Sequence, residues 1–190
     1  MRKVILFMHM SLDGFIAGPN GEMDWIAVND EIFQDVIALQ PAMDTALLGG
    51  TLYQDMVGYW PGVPANPESS PMDREHAQWL NSAPKLVFSN TLPGVDWENA
   101  RIVRGDIAEE IAAVKAQPGK NLILFGGAAI AQSFMQRGLI DEYRLNVNPV
   151  ILGGGKHLFA NLNDRLNLKL INTKAYSNGV LSLVYAADKQ

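Results

Sequence analysis

Hydrophobic and polar positions alternate along this chain in two different rhythms. Short apolar runs at Lys3–Met10, Asp44–Leu48, Lys85–Ser89, Arg101–Arg104 and Leu122–Phe125 each lead into a loop or a helical pattern. A run apolar on successive residues reads as a strand buried on both faces, the usual state in a parallel sheet. Between these runs, apolar residues recur at helical spacing. Asn29 predicts a cap for a helix over 30–39, with Ile32, Phe33, Val36 and Ile37 as its buried stripe. Further helices are expected over 51–59, over 72–81, from Asp106 to Pro118-Gly119, and from Ala128 to about Arg137. Asp106 with Glu109 makes an acidic form of the capping box at the third of these.

From Glu142 the rhythm changes to strict alternation. Tyr143, Leu145 and Val147 predict a half-exposed strand, and 166–175 and 180–187 predict two more. Ser177-Asn178-Gly179 between the last two is a hairpin signal. Two long loops interrupt the scheme: 12–23, rich in glycine, and 61–71, with four prolines. The expected architecture is a single α/β domain over 1–190, with a mixed sheet, antiparallel strands at its C-terminal end and helices on both faces.

Composition narrows the function. A net charge of −5 disfavours nucleic acid as a partner. The chain has no cysteine, so disulfides and thiolate-bound metals are excluded. Its three histidines have no metal-ligand spacing, so no metal is expected. No apolar run reaches the roughly 20 residues of a membrane span. Residues 1–10 read as a first strand rather than a signal peptide, which places the expected location in the cytoplasm.

The chemistry is expected at the strand ends. Phe125-Gly126-Gly127-Ala128-Ala129-Ile130 and Leu48-Gly49-Gly50-Thr51-Leu52 both run strand, glycine pair, helix. One such turn is a backbone requirement. Two in one small α/β domain suit the pyrophosphate of a dinucleotide, because helix starts present unpaired N–H groups. The G-x-G-x-x-G fingerprint of a standard Rossmann domain is absent. Ser89-Asn90-Thr91 and Arg104 end two other strands and offer polar groups to a ribose and its phosphate. His9 interrupts an apolar strand and reads as a satisfied core residue; Lys156-His157 reads as a solvated turn.

Taken in order, Ser11-Leu12-Asp13-Gly14-Phe15-Ile16-Ala17, Met23-Asp24-Trp25, Leu47–Tyr53, Leu86–Asn90 and Leu124–Gly127 resemble the dihydrofolate reductase-like family. The stretch Asn148–Phe159, with Gly153-Gly154-Gly155, resembles the branch containing the reductase domain of the bacterial bifunctional riboflavin-biosynthesis deaminase–reductase. The resemblance implies a three-layer fold and a reductase that transfers hydride from NADPH, with NADH as the alternative. The substrate would be a small C=N or C=O compound, aminopyrimidine-like by first expectation. It implies that Ile16 and Ala17 border the nicotinamide and that Gly49, Gly50, Thr51 and Leu52 meet the pyrophosphate. Phe125, Gly126, Gly127, Ala128, Ala129 and Ile130 would line the pyrophosphate and adjoining ribose. Ser89, Asn90 and Arg104 would surround the adenosine ribose. Trp25 and Phe33 would border the substrate, Asp30 would manage the proton, and Asp13 is the second candidate. The resemblance also implies a homodimer built on the C-terminal strands.

The chain departs from the family at three places. Gly50 stands where a basic residue is common, Ala131 where many have tyrosine, and Asp24 where proline usually precedes the tryptophan. Dihydrofolate reduction itself, a non-catalytic nucleotide- or drug-binding module, and a structural dimer without a dinucleotide remain as alternatives.

Overall fold

In the computed structural model, which describes residues 1–188, the apolar runs form one eight-stranded sheet of order β5-β4-β3-β6-β1-β7-β10-β9. The strands are β1 (Val4–Ser11), β3 (Met43–Gly49), β4 (Lys85–Phe88), β5 (Ala100–Val103), β6 (Asn121–Gly126), β7 (Glu142–Asn148), β9 (Leu168–Ala175) and β10 (Leu181–Ala187). Six of them, from β5 across to β7, are parallel. Only β10 runs against the others, and it pairs antiparallel with both β7 and β9. A separate short pair, β2 (Phe15–Ala17) and β8 (Lys156–His157), lies outside this sheet.

The helices are α1 (Asp30–Leu39), α2 (Gly50–Val57), α3 (Pro71–Ser82), α4 (Ile107–Ala116) and α5 (Ala128–Gln136). Alternate residues of each central strand bury on opposite faces. Val4, Leu6, Leu122 and Leu124 pack with Ile111 and Val114 of α4 and with Phe134 and Met135 of α5. Leu48 and Val87 pack with Tyr53 of α2 and Leu80 of α3, while Ile5 and Ile123 meet Leu39 and Trp79. The result is a sheet between two helical layers, as expected.

Strand β7 departs from its reading. Its alternation predicts a half-exposed strand, yet Glu142, Tyr143, Leu145, Asn146 and Asn148 are all buried. The strand sits between β1 and β10, so its polar residues do internal work instead of meeting water. The Asn148 amide accepts from Ala27 N at 2.9 Å and donates to Asn146 O at 3.1 Å. β7 is also parallel to β1, so the antiparallel part of the sheet begins one strand later than the rhythm suggests. The loop at 12–23 contains β2, whose three residues are too short to register as a pattern. The proline-rich loop folds into a 3-10 helix at Trp60–Ala65.

His9 also differs from its reading. Its Nε2 lies 3.4 Å from Asn146 Nδ2, but its buried Nδ1 has no partner. Burial lowers its pKa to about 4. His76 is a satisfied histidine: its Nδ1 lies 2.7 Å from Gln40 Nε2, and Trp60, Phe33 and Phe125 surround the ring. Burial again lowers the pKa to about 4.

Both imidazoles are therefore neutral in the fold and protonate more readily once unfolded, where the ordinary value is 6.5. Their contribution is fully present above that value and is lost as the pH falls through about 4. Thermal melts followed by circular dichroism should show a melting temperature that drops between these limits. An imidazole NMR titration should show the His76 ring still neutral at about pH 5.

Candidate functional site

All six parallel strands end at the same edge of the sheet, and the loops that follow them surround one cavity of about 790 Å³. Its wall follows the strand ends. Met8 comes from β1, Phe88 from β4, Val103 from β5, and the Gly49 and Phe125–Gly127 turns come from β3 and β6. From β5 to β1 there are four strand spacings, about 19 Å at about 4.8 Å each. The cavity is thus an elongated cleft that crosses the strand ends.

Two helices start at this cleft, and neither has a side-chain cap. The N-cap of α2 is Gly49 and that of α5 is Gly127. The other three helices are capped by Asn29, Ser70 and Asp106 side chains. The first turns of α2 and α5 therefore keep N–H groups available to a ligand, together with the positive end of the helix dipole. The α4 start also borders the cleft, but Asp106 already accepts from Ala108 N and Glu109 N.

The glycines have separate reasons. Gly126 and Gly127 both hold positive φ, +95° and +94°. A Cβ on Gly126 would collide with the Met8 side chain, whereas one on Gly127 would meet nothing closer than Ile130 at 3.7 Å. Gly126 is thus required by its left-handed φ, with the movable Met8 tip crowding it, and Gly127 leaves bare backbone facing the cavity. A Cβ on Gly50 would come 2.8 Å from Ser89 Oγ, so this glycine allows the α2 start to approach the β4 end.

Ile16, Ala17, Gly49, Gly50, Thr51, Leu52, Ser89, Asn90, Phe125, Gly127, Ala128, Ala129 and Ile130 all line this one cavity. Gly126 lies behind the wall. Arg104 lies outside it, and its guanidinium is engaged with main chain, donating to Leu92 O at 2.6 Å and to Asn90 O at 3.5 Å. It fixes the loop that presents Ser89 and Asn90 through its two Nη groups.

The residues expected near the substrate are not in the wall. Trp25 is half-buried and donates from Nε1 to Glu22 O at 3.1 Å. Phe33 packs its ring 5.5 Å from His76. Asp30 is the exposed first residue of α1. Asp13 accepts from Ser11 Oγ at 2.7 Å, Leu152 N at 3.1 Å and Gly153 N at 2.8 Å. These bonds, that from Ser11 foremost, hold its pKa down at about 2. A carboxylate so held has no proton to give near neutrality. Its visible role is to tie the glycine-rich turn after β7 to the end of β1.

Other wall residues escape the sequence reading. Asp55 and Ser133 lie one helical turn beyond Thr51 and Ala129, so the period of α2 and α5 could have found them. Asn20 and Lys156 had no such signal, because the pairing of β2 with β8 brings Lys156 to the cavity. Among the described residues no cluster of histidine and carboxylate is placed to hold a metal, and no helix is long and apolar enough to cross a membrane.

Comparison with known proteins agrees with this architecture. The chain is 38% identical over 185 residues to the uncharacterised protein YyaP of Bacillus subtilis, covering 97% of this chain and 94% of that one. A putative riboflavin biosynthesis protein from Shewanella sp. PV-4 superposes with a TM-score of 0.79 at 24% identity, covering 98% and 99% of the two chains. Dihydrofolate reductase from Enterococcus faecalis, solved with NADP(H), superposes with a TM-score of 0.64 at 14% identity over 98% and 97%. The fold is therefore the dihydrofolate reductase-like one. A family model described as the RibD C-terminal domain matches residues 2–182, and the chain belongs to that family.

Proposed function

We propose that this protein is a reductase that passes a hydride from NADPH to a C=N or C=O carbon of a small molecule. A heteroaromatic, aminopyrimidine-like compound, as in riboflavin biosynthesis, is the substrate class. The observation that carries this reading is the pair of uncapped, glycine-started helices facing one elongated cleft. Such a pair suits a diphosphate bridge, and the cleft extends from it in both directions along the strand ends.

In this reading Gly49–Leu52 and Gly127–Ile130 hold the diphosphate by main-chain N–H groups. Ser89 and Asn90 face the adenosine ribose. Ile16 and Ala17, buried in β2, form an apolar wall against the nicotinamide and keep water from it. When bound, the dinucleotide supplies the hydride. The protein's part is to align the two reactants and to deliver a proton to the reduced nitrogen or oxygen. Asp30 is assigned that delivery, and because it is exposed and lies outside the cavity wall the proton reaches the site through water. Trp25 and Phe33 lie outside the cavity wall and take no part in this reading. Arg104 lies beside the adenosine end, and this supports NADPH over NADH through its charge, although both its Nη groups bond main chain.

The same reading makes the protein a homodimer. Leu170 and Ile171 of β9 and Leu181 of β10 are exposed apolar residues on the edge hairpin, 52%, 54% and 43% accessible. An edge strand with that much apolar surface favours association.

Titration with NADPH, followed by nicotinamide fluorescence, should saturate. No binding of either NADPH or NADH would end the reductase reading. Gly127→Val should weaken NADPH at least about 10-fold, because a β-branched residue is strained at positive φ. Asp30→Asn should lower turnover by about 100-fold or more while sparing cofactor affinity, as expected for a lost proton donor. Sedimentation should report about twice the 20.8 kDa chain mass, and Leu170→Lys should shift it toward the monomer.

A further inference from the structure

The sequence Gly153-Gly154-Gly155-Lys156-His157 is the one conspicuous motif that the dinucleotide reading leaves unused. It forms a turn whose main chain is fixed from several sides. Asp13 accepts from the N–H groups of Leu152 and Gly153. Gly155 has φ +135°, and a Cβ there would overlap Ala17 O, so only glycine lets the turn press onto β2. His157 stacks on Phe15 with ring centroids 3.9 Å apart, and its carbonyl accepts from Gln132 Nε2 at 2.8 Å. Leu158 N donates to Gly14 O at 3.0 Å.

This rigid platform presents one charged side chain. Asp55 and Lys156 are the ionisable residues in the cavity wall, so Lys156 is its only cation among the described residues. It is exposed, and no carboxylate among the described residues lies within ion-pair distance of its Nζ. Glu22, whose carboxylate feels the charge of Lys156, is bonded by Asn20, accepting from Nδ2 at 2.6 Å and from N at 2.9 Å. The Nζ would lie 3.6 Å from a Cβ on Gly21, another positive-φ glycine in the wall. Lys156 thus stands with Ala17, Asn20 and Gly21 at the first-loop end. Ser89 and Asn90 mark the other end, and the two glycine turns lie between.

We propose that Lys156 is a ligand-binding residue that receives an anionic phosphate oxygen from the nicotinamide half of the dinucleotide. The assignment rests on the dinucleotide reading above. It also gives the glycine triplet a purpose, which is to hold a lysine over the cleft at a fixed place while its tip remains free. Because the tip is solvated, its attraction for the phosphate is sensitive to salt.

The test compares wild type, Lys156→Met and Lys156→Arg against three probes: NADPH, nicotinamide mononucleotide and 2′,5′-ADP. In low salt Lys156→Met should weaken NADPH and the mononucleotide by about 10-fold, the scale of one solvent-exposed charge-assisted hydrogen bond. The difference should shrink at roughly 0.5 M salt. Lys156→Arg should restore most of the affinity, and 2′,5′-ADP should bind all three proteins alike. Unchanged NADPH affinity in Lys156→Met would overturn the assignment while leaving the dinucleotide reading intact. Equal weakening of 2′,5′-ADP would overturn the placement at the nicotinamide end. A wild-type protein that binds none of the three probes defeats the dinucleotide reading itself, and this assignment with it.

Discussion

The reversal of the chain at Gly126–Gly127 is the constraint on which the rest of the site depends. β6 is fully flanked in the sheet, between β3 and β1, and its side chains pack on both faces. To leave that position and begin α5 at once, two consecutive residues must hold φ near +95°. Only glycine does so without strain, and at Gly126 the Met8 tip would also have to move aside for a side chain. The reversal puts the α5 start directly over the strand ends. The Gly49–Gly50 turn does the same for α2 one strand away, so the two helix starts converge. The cleft follows from sheet order and strand polarity more than from any single side chain.

A second layer of organisation lies in short polar side chains that bind main chain. Asp13 ties the turn after β7 to the end of β1, and Asn148 anchors the loop before α1 at Ala27 N. Lys85, fully buried at the start of β4, donates to Asn81 O, Ala83 O and Glu98 O and lies over the Trp97 ring. Burial lowers its pKa to about 8, yet three carbonyls and an aromatic face satisfy its ammonium. Each of these groups replaces water at loop backbone that would otherwise be unpaired, Asp13 and Asn148 at the cleft end of the sheet and Lys85 at the opposite end, where β4 begins. Asp13 illustrates the cost of reading a conspicuous acid as catalytic. The bonds that make it structurally useful also hold it ionised.

Much of the fold was legible along the chain. The helix at Asp30–Leu39 with its Asn29 cap coincides with its reading, because capping and periodicity are local. The parallel strands were legible because burial on both faces leaves them apolar throughout. β7 was not, because Glu142, Asn146 and Asn148 are buried polar residues, Glu142 paired with Arg144 on β7 itself and the two asparagines with His9 and Met10 of β1. An alternating pattern cannot distinguish water on one face from a buried network. The cavity wall was legible at its glycine turns and strand ends, where residue type reflects backbone need. It was legible at Asp55 and Ser133 only through the helical period, and not at all at Lys156 and Asn20, which the pairing of β2 with β8 and the first loop supply.

By itself, then, the sequence determined the elements, their caps and the places where the backbone needs glycine, since these depend on interactions within a few residues. Tertiary structure alone decided which way β7 runs, which polar residues are buried, and that β8 lies against β2. It also decided that Arg104 serves the main chain of its own loop while Lys156 stands in the cleft. Arg104 reaches 12 to 14 positions back, and the other outcomes depend on pairings across more than a hundred positions, such as Asp13 with Gly153 at a separation of 140 residues. A charge shows in the sequence wherever it occurs; whether it faces a ligand, a carbonyl or water depends on what the fold brings beside it.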